Sequence, residues 1–276
     1  MEEEITSTTF LIFFSIVVLM IFSPRIITVI EKQVYYRFGK IYFTHFIFKR
    51  RVLSLPEKKF LYRKVSFYRN LDSKKKSVFE HRIAIFIENY KFYSRGKVPI
   101  TRDIKLLVAA SATKLTFGFR DFIFSVLSTI LIYPRAYTSK TTGKGHKGEF
   151  NPRLKTLVFS WEDFLKGYKI PNDNVNLAVH EFTHVIHINS YKEKDLNAQI
   201  FKKEYKSLKK MIREDKDIKE SLLTSDYFRK YAYENQYEFI AVLIECFIET
   251  PEEFKSRFPK IYEKIKIMLN FNFLHY

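Results

Sequence analysis

NLAVHEFTHVIH, Asn176 to His187, sets two histidines four residues apart with a glutamate directly after the first. On an α-helix, positions i and i+4 lie one above the other, so His180 and His184 can aim imidazole nitrogens at one metal ion. Glu181 reaches the edge of such a site, where a carboxylate can take a proton from water and later hand it to a leaving amine. Zinc suits this work, because it brings the pKa of water it holds to about 7. Val179, Phe182, Val185, Ile186 and Ile188 provide the apolar cover of a helix buried in a domain. Asp173 or Asn174, just after Pro171, is the expected N-cap.

Two histidines do not complete a zinc site. A third histidine six residues after His184 is excluded, because that position is Ser190. The stretch YAYENQYEFIAVLIECFIETPEEF reads as a turn followed by a long apolar helix that Pro251 stops. It carries Glu238 and Glu245, two turns apart on one face. A carboxylate in such surroundings is costly unless paired or metal-bound. Either glutamate fits as the third ligand, with the other supporting it.

The rest of the chain sets the frame. It has 276 residues, 46% hydrophobic and 17% aromatic, enough for a sizeable core. The single cysteine, Cys246, excludes an intramolecular disulfide framework and a cysteine-based zinc site. The formal net charge is +18, with basic residues dense between Arg25 and Lys76. No helix-turn-helix, zinc-finger or RNP-like pattern accompanies that charge, so nucleic acid is not the expected partner.

Residues 1–30 read as an N-terminal membrane anchor. ITSTTFLIFFSIVVLMIFSP, Ile5 to Pro24, carries no charge and is long enough to span a hydrocarbon core as a helix. Glu2, Glu3 and Glu4 precede it and no small-residue cleavage site follows, which argues for a retained anchor over a signal peptide. Arg25, Lys32, Arg37, Lys40, Lys49, Arg50 and Arg51 flank its C-terminal side. The positive-inside rule then puts residues 31–276 in the cytoplasm, and the basic flank suits an anionic inner leaflet.

Within that part, Pro56–Tyr68 and Lys76–Tyr93 have helical spacing, the second with Ser77 and Glu80 as an S-x-x-E capping box. Thr101 is the expected N-cap of a further helix. Phe122–Pro134 reads as a helix end running into a strand, TILIYP. TSKTTGKGHKGEFNP reads as an exposed loop, and Leu154–Trp161 as a second strand. Several helices with a few strands make the expected class α+β.

The paired blocks NLAVHEFTHVIH and YAYENQYEFIAV resemble the Mlc titration factor A family of zinc peptidases, and the lethal factor of anthrax toxin has a similar pairing. The upstream segments ITRDIKLLVAASATKL, ILIYP and GEFNPRLKTLVFSWEDF resemble the family's blocks in the same order, from about Lys76 to Lys264. The resemblance implies a zincin-like α+β domain holding one zinc ion. His180, His184 and Glu238 match its metal ligands and Glu181 its general base. Tyr231, seven residues before Glu238, matches a tyrosine that faces the zinc, where a phenol can donate to a developing oxyanion. Glu245 also has a counterpart, in a supporting place. His187 stands where the family has an aspartate, one turn beyond His184. By analogy, TLVFSW, Thr156 to Trp161, is expected to border the cleft and pair with an extended substrate.

The expected function is therefore a membrane-anchored zinc metallopeptidase acting on a peptide or protein substrate. The alternative, from another class, is a regulatory binding protein of the same fold that sequesters a protein partner.

Overall fold

The computed structural model describes residues 13–15, 26, 29–39, 41, 50–138, 143, 145–170 and 172–272. It divides into two units, Met1–Thr44 and His45–Tyr276. Of the first, residues 29–38 are helical. Nearly all of the Ile5–Pro24 stretch lies outside the described residues. Among those described, no helix is long and apolar enough to cross a membrane.

In the second unit, helices α1 (Leu55–Lys64), α2 (Ser66–Asn70) and α3 (Ser73–Asn89) lead into strand β1 (Lys91–Ser94). Helix α4 (Arg102–Leu115) returns the chain to β2 (Thr129–Tyr133). The short strands β3 (Tyr137–Thr138) and β4 (Gly145–His146) follow, then β5 (Gly148–Asn151) and β6 (Thr156–Ser160). The remainder is helical: α5 (Trp161–Lys169), α6 (Leu177–Lys192), α7 (Leu196–Glu214), α8 (Lys216–Thr224), a 3-10 turn (Lys230–Tyr233), α9 (Gln236–Glu249), α10 (Pro251–Arg257) and α11 (Pro259–Met268). Helices thus dominate a small sheet, and the mixed α+β class holds.

The sheet runs β1-β2-β6-β5, with β1, β2 and β6 parallel and β5 antiparallel on the edge. Leu157, Val158, Phe159 and Ser160 of β6 are all buried. A strand covered on both faces reads as such a run rather than as an alternation. Expectation and structure differ here. TLVFSW is interior, and the edge strand beside the motif helix is GEFN, which falls inside the segment read as a loop. Its pairing to β6, from Gly148 opposite Phe159 to Asn151 opposite Thr156, is what makes it a strand.

Other boundaries moved for local reasons. Val65 is extended and splits the Pro56–Tyr68 helix in two. The N-cap of helix α3 is Asp72, five residues before Ser77, and it accepts from the Lys75 amide at 2.8 Å. Ser77 instead accepts from Arg50, and Glu80 accepts from the Tyr68 phenol at 2.6 Å and pairs with Lys58 at 2.8 Å. The helix ends before Tyr90, so residues 91–93 belong to β1. Thr101 does cap α4, accepting from the Ile104 amide.

Residues 122–128 form no helix end before β2. They are held by side chains: the Phe124 amide donates to the Tyr90 hydroxyl at 2.6 Å, and the Phe122 ring lies over the Arg82 guanidinium at 4.6 Å. Arg82, 2% exposed, donates to the carbonyls of Thr116, Phe117 and Phe119 at 2.8, 3.2 and 2.6 Å. It thereby satisfies carbonyls at and beyond the C-terminus of α4, where a cation is favourable.

Helix α6 lies in the middle of the core. Phe182 packs edge-on to Phe86 and against Phe159 of β6 at 5.7 Å. Helix α9, whose Ile240–Ile248 are all buried, lies alongside it. These two helices carry the candidate site.

Candidate metal centre

Helix α6 begins at Asn176, not at Asp173 or Asn174. Asn174 takes a positive φ of 57°, which ends any helical run there. Asn176 caps the helix by accepting from the Val179 amide at 3.1 Å. Its side-chain amide also donates to the Gly167 carbonyl at 3.2 Å and to Glu249 at 2.9 Å. Its backbone amide donates to Glu245 Oε2 at 2.6 Å. One residue thus ties the start of α6 to α5 and α9.

From that anchor the helical repeat puts His180 and His184 on the face toward α9. Their Nε2 atoms lie 2.8 and 3.6 Å from the two oxygens of Glu238. One ligand atom from each of the three side chains falls within 4.8 Å of the others. Asn235 caps α9 from the amides of Tyr237 and Glu238, which fixes the first turn that carries Glu238.

Glu245, two turns along α9, accepts from His180 Nδ1 at 2.8 Å and from Arg229 at 2.5 Å. A carboxylate can only accept, so Nδ1 donates to Glu245 and Nε2, 2.8 Å from Glu238, donates there; with Nδ1 held by Glu245, Nε2 is the nitrogen left for a metal ion. Burial works against a charge on His180, yet its bonds to Glu238 and Glu245 outweigh burial and push its pKa up to about 10. Burial likewise opposes ionisation of Glu238, but His180 and His184 hold its carboxyl far below the usual range. The place between these side chains therefore favours positive charge. Two imidazole nitrogens and a carboxylate oxygen, one nitrogen oriented from behind by a carboxylate, are a donor set that zinc takes.

Glu181 is 5% exposed, and its Oε2 has no hydrogen-bond partner. Burial pushes its carboxyl up from the ordinary value, against the pull of His180 and His184. Gly148 of β5 is its backing. A Cβ built there would stand 2.6 Å from Glu181 Oε1 and 2.8 Å from both Glu181 Cγ and Leu177 Cδ1. Only glycine admits the edge strand this close. Tyr231 lies across from the helix, its ring 5.8 Å from that of His180. Burial and the Glu238 carboxylate raise its phenol, which stays protonated and able to donate.

His187 is separate from this cluster. It is 2% exposed, ringed by Tyr191, Phe201, Tyr205 and Tyr237 at 4.5–5.8 Å, and its Nδ1 has no partner. Burial, with His184 and Lys209 nearby, pushes its pKa down to about 4, so it is a neutral member of an aromatic cluster.

Sequence reasoning did not find Gly148, Arg229 or Asn176. Gly148, the last of three glycines in GKGHKG, had no signal that set it apart, whereas Asn176 is a good N-cap residue. Arg229 had none.

Residues 45–269 match the family described as glucose-regulated metallo-peptidase M90, the Mlc titration factor A family that the paired blocks resemble. The chain is also similar to an uncharacterized protein of Synechocystis sp., with 22% identity over 228 residues, covering 74% of this chain and 79% of that one.

Proposed function

Because the chain belongs to the glucose-regulated metallopeptidase M90 family, we propose that it is a single-zinc peptidase with a zincin-like catalytic domain. The observation that carries this reading is the convergence of His180, His184 and Glu238 on one point, with Glu181 beside it holding an unpartnered buried oxygen. Zinc held by those three side chains would polarise a water molecule and the scissile carbonyl.

The chain's own groups do the rest. Glu245 and Arg229 fix the tautomer and tilt of His180. Glu181, its carboxyl raised by burial, takes the proton of the attacking water and passes it to the leaving amine. Tyr231 donates to the oxygen on which negative charge develops. Among the described residues β5 pairs on one side only, with β6, and its Gly148 lies beside Glu181, so its other edge gives an extended peptide a strand to pair with.

The uncharged Ile5–Pro24 stretch and its basic flank support anchoring in a membrane, with the catalytic domain on the cytoplasmic side. The substrate is then a cytoplasmic peptide or protein.

Metal analysis of the purified chain, beside a peptide-library assay of the wild type and Glu181→Gln, tests the proposal. One zinc per chain is expected, with hydrolysis lost in the variant. Zinc below stoichiometry, or hydrolysis unchanged by the substitution, would overturn it. A partner captured equally by both forms, with no cleavage by either, would favour the binding-protein alternative.

A further inference from the structure

Glu238, Glu245 and Glu249 follow one another along α9. The first faces the metal donors and the second holds His180. The third opens into a different space, a cavity of about 760 Å³ between α2, α4, α5 and the start of α10. That volume is in the range of small-molecule sites.

The inner wall of this half-open cavity carries ionisable groups. Lys114 of α4 reaches into it, with its ammonium 5.9 Å from the centre of the Phe67 ring. Burial pushes that ammonium down to about 8, so it is still charged at neutral pH. Glu249 is the acid that favours the charge, but burial pushes its own carboxyl up to about 7, and its Oε2 has no hydrogen-bond partner. Glu249 therefore leaves Lys114 only partly compensated. Arg63, Lys64 and Arg69 stand at the mouth, with Glu252. Four cations against two acids leave a surplus of two positive charges.

Two hydroxyls complete the wall. Ser111 and Tyr168 share the Leu107 carbonyl, at 3.1 and 2.9 Å, and are hydrogen-bonded to each other at 2.9 Å, so their two hydrogens are divided among these three oxygens. Their hydrogens are committed and their free lone pairs can accept. Such a wall suits a ligand with a doubly charged anionic end for Lys114 and the cationic mouth. Its other end would carry hydroxyl donors for Glu249 Oε2, Ser111 and Tyr168.

The cavity is wired to the metal centre. Glu249 accepts from the Asn176 side chain at 2.9 Å, the Asn176 backbone amide donates to Glu245 at 2.6 Å, and Glu245 accepts from His180 at 2.8 Å. We propose that this cavity is an effector site for a small phosphate monoester bearing hydroxyl groups, whose occupancy alters metal binding through Glu249, Asn176, Glu245 and His180. The coupling rests on the metal-site reading above, whereas the binding itself does not.

The test uses the full chain in detergent, titrated calorimetrically with glycerol 3-phosphate and with inorganic phosphate, first free of metal and then loaded with zinc. Saturable binding is expected in both states, tighter for glycerol 3-phosphate. Lys114→Met should weaken it tenfold or more. The surface triple variant Arg63→Gln, Lys64→Gln, Arg69→Gln, which changes only exposed side chains, should weaken it too. Zinc loading should shift the affinity by about fivefold or more, as reciprocal coupling requires. Absence of saturable binding in the metal-free chain, binding indifferent to both variants, or identical affinity with and without zinc would each overturn the proposal. Failure of the chain to take up zinc would count against the metal-site reading, and is distinguishable because the metal-free titration does not need it.

Discussion

Glu245 accepts the Nδ1 proton of His180 at 2.8 Å while also holding Arg229 and the Asn176 amide. This carboxylate touches no metal-facing atom, yet by holding Nδ1 it decides which nitrogen of His180 is left for a metal ion. Glu245→Gln keeps the shape and removes the charge. Metal affinity should fall about 10–100-fold, measured by competition with a chromogenic chelator, and Glu238→Gln should lose more. Equal affinity in Glu245→Gln and the wild type would mean that His180 is oriented by other groups.

Metal uptake should release a proton. Without metal, His180 is charged at neutral pH, because its partners push its pKa up to about 10. An ion approaching Nε2 must displace that proton. Affinity therefore rises with pH from 6 to 9, by about one proton per metal ion. Calorimetry in buffers of different ionisation enthalpy reads the proton count directly. A count near zero would contradict the charged state.

Gly148→Ala should separate catalysis from metal binding. The added methyl meets Glu181 Oε1 at 2.6 Å and must push the carboxylate or the edge strand aside. Since displacement of a catalytic group by about 1 Å can cost about a hundredfold in rate, kcat should drop on that scale while zinc content stays at the wild-type level. Loss of zinc together with activity would place Gly148 in the fold instead.

His187 sets part of the acid limit of stability. Its folded pKa, near 4, lies below its ordinary value of 6.5. Between those two values the unfolded chain binds the proton and the folded chain does not, so stability falls as pH falls through that window. The contribution is on the order of 3 kcal/mol. His187→Phe, a ring among four rings, should flatten this part of the curve. Denaturant melts of the metal-free chain at pH 7 and pH 4.5 measure it, and an unchanged pH dependence in the variant would rule it out.

Much of the site was legible because it is written locally. His180, Glu181 and His184 follow from spacing on one helix, and Glu238 and Glu245 from the cost of carboxylates in an apolar run. The Pro251 stop and the Thr101 cap follow from backbone chemistry. What could not be read was set by distant partners. GEFN becomes a strand only against β6, and so Gly148 is unremarkable until Glu181 is placed beside it. The Ser77-x-x-Glu80 pattern is a genuine capping signal that lost to Asp72, because Arg50, Tyr68 and Lys58 engage the same two side chains from elsewhere in the chain. His187 lies beyond the cluster because a further turn of α6 carries it into the aromatic rings of α7 and α9.

Asn176 gives the protein a fixed origin from which to count. Its backbone and side chain are clamped to Glu245, Glu249 and Gly167, so the angular position of every later residue of α6 is measured from it. A residue gained or lost among 170–175 is absorbed before the origin and leaves the histidines where they are. One gained between Asn176 and His180 turns the whole face by about 100° and presents Val179 where His180 should stand. The loop tolerates a change in length, but the four-residue interval from Asn176 to His180 does not.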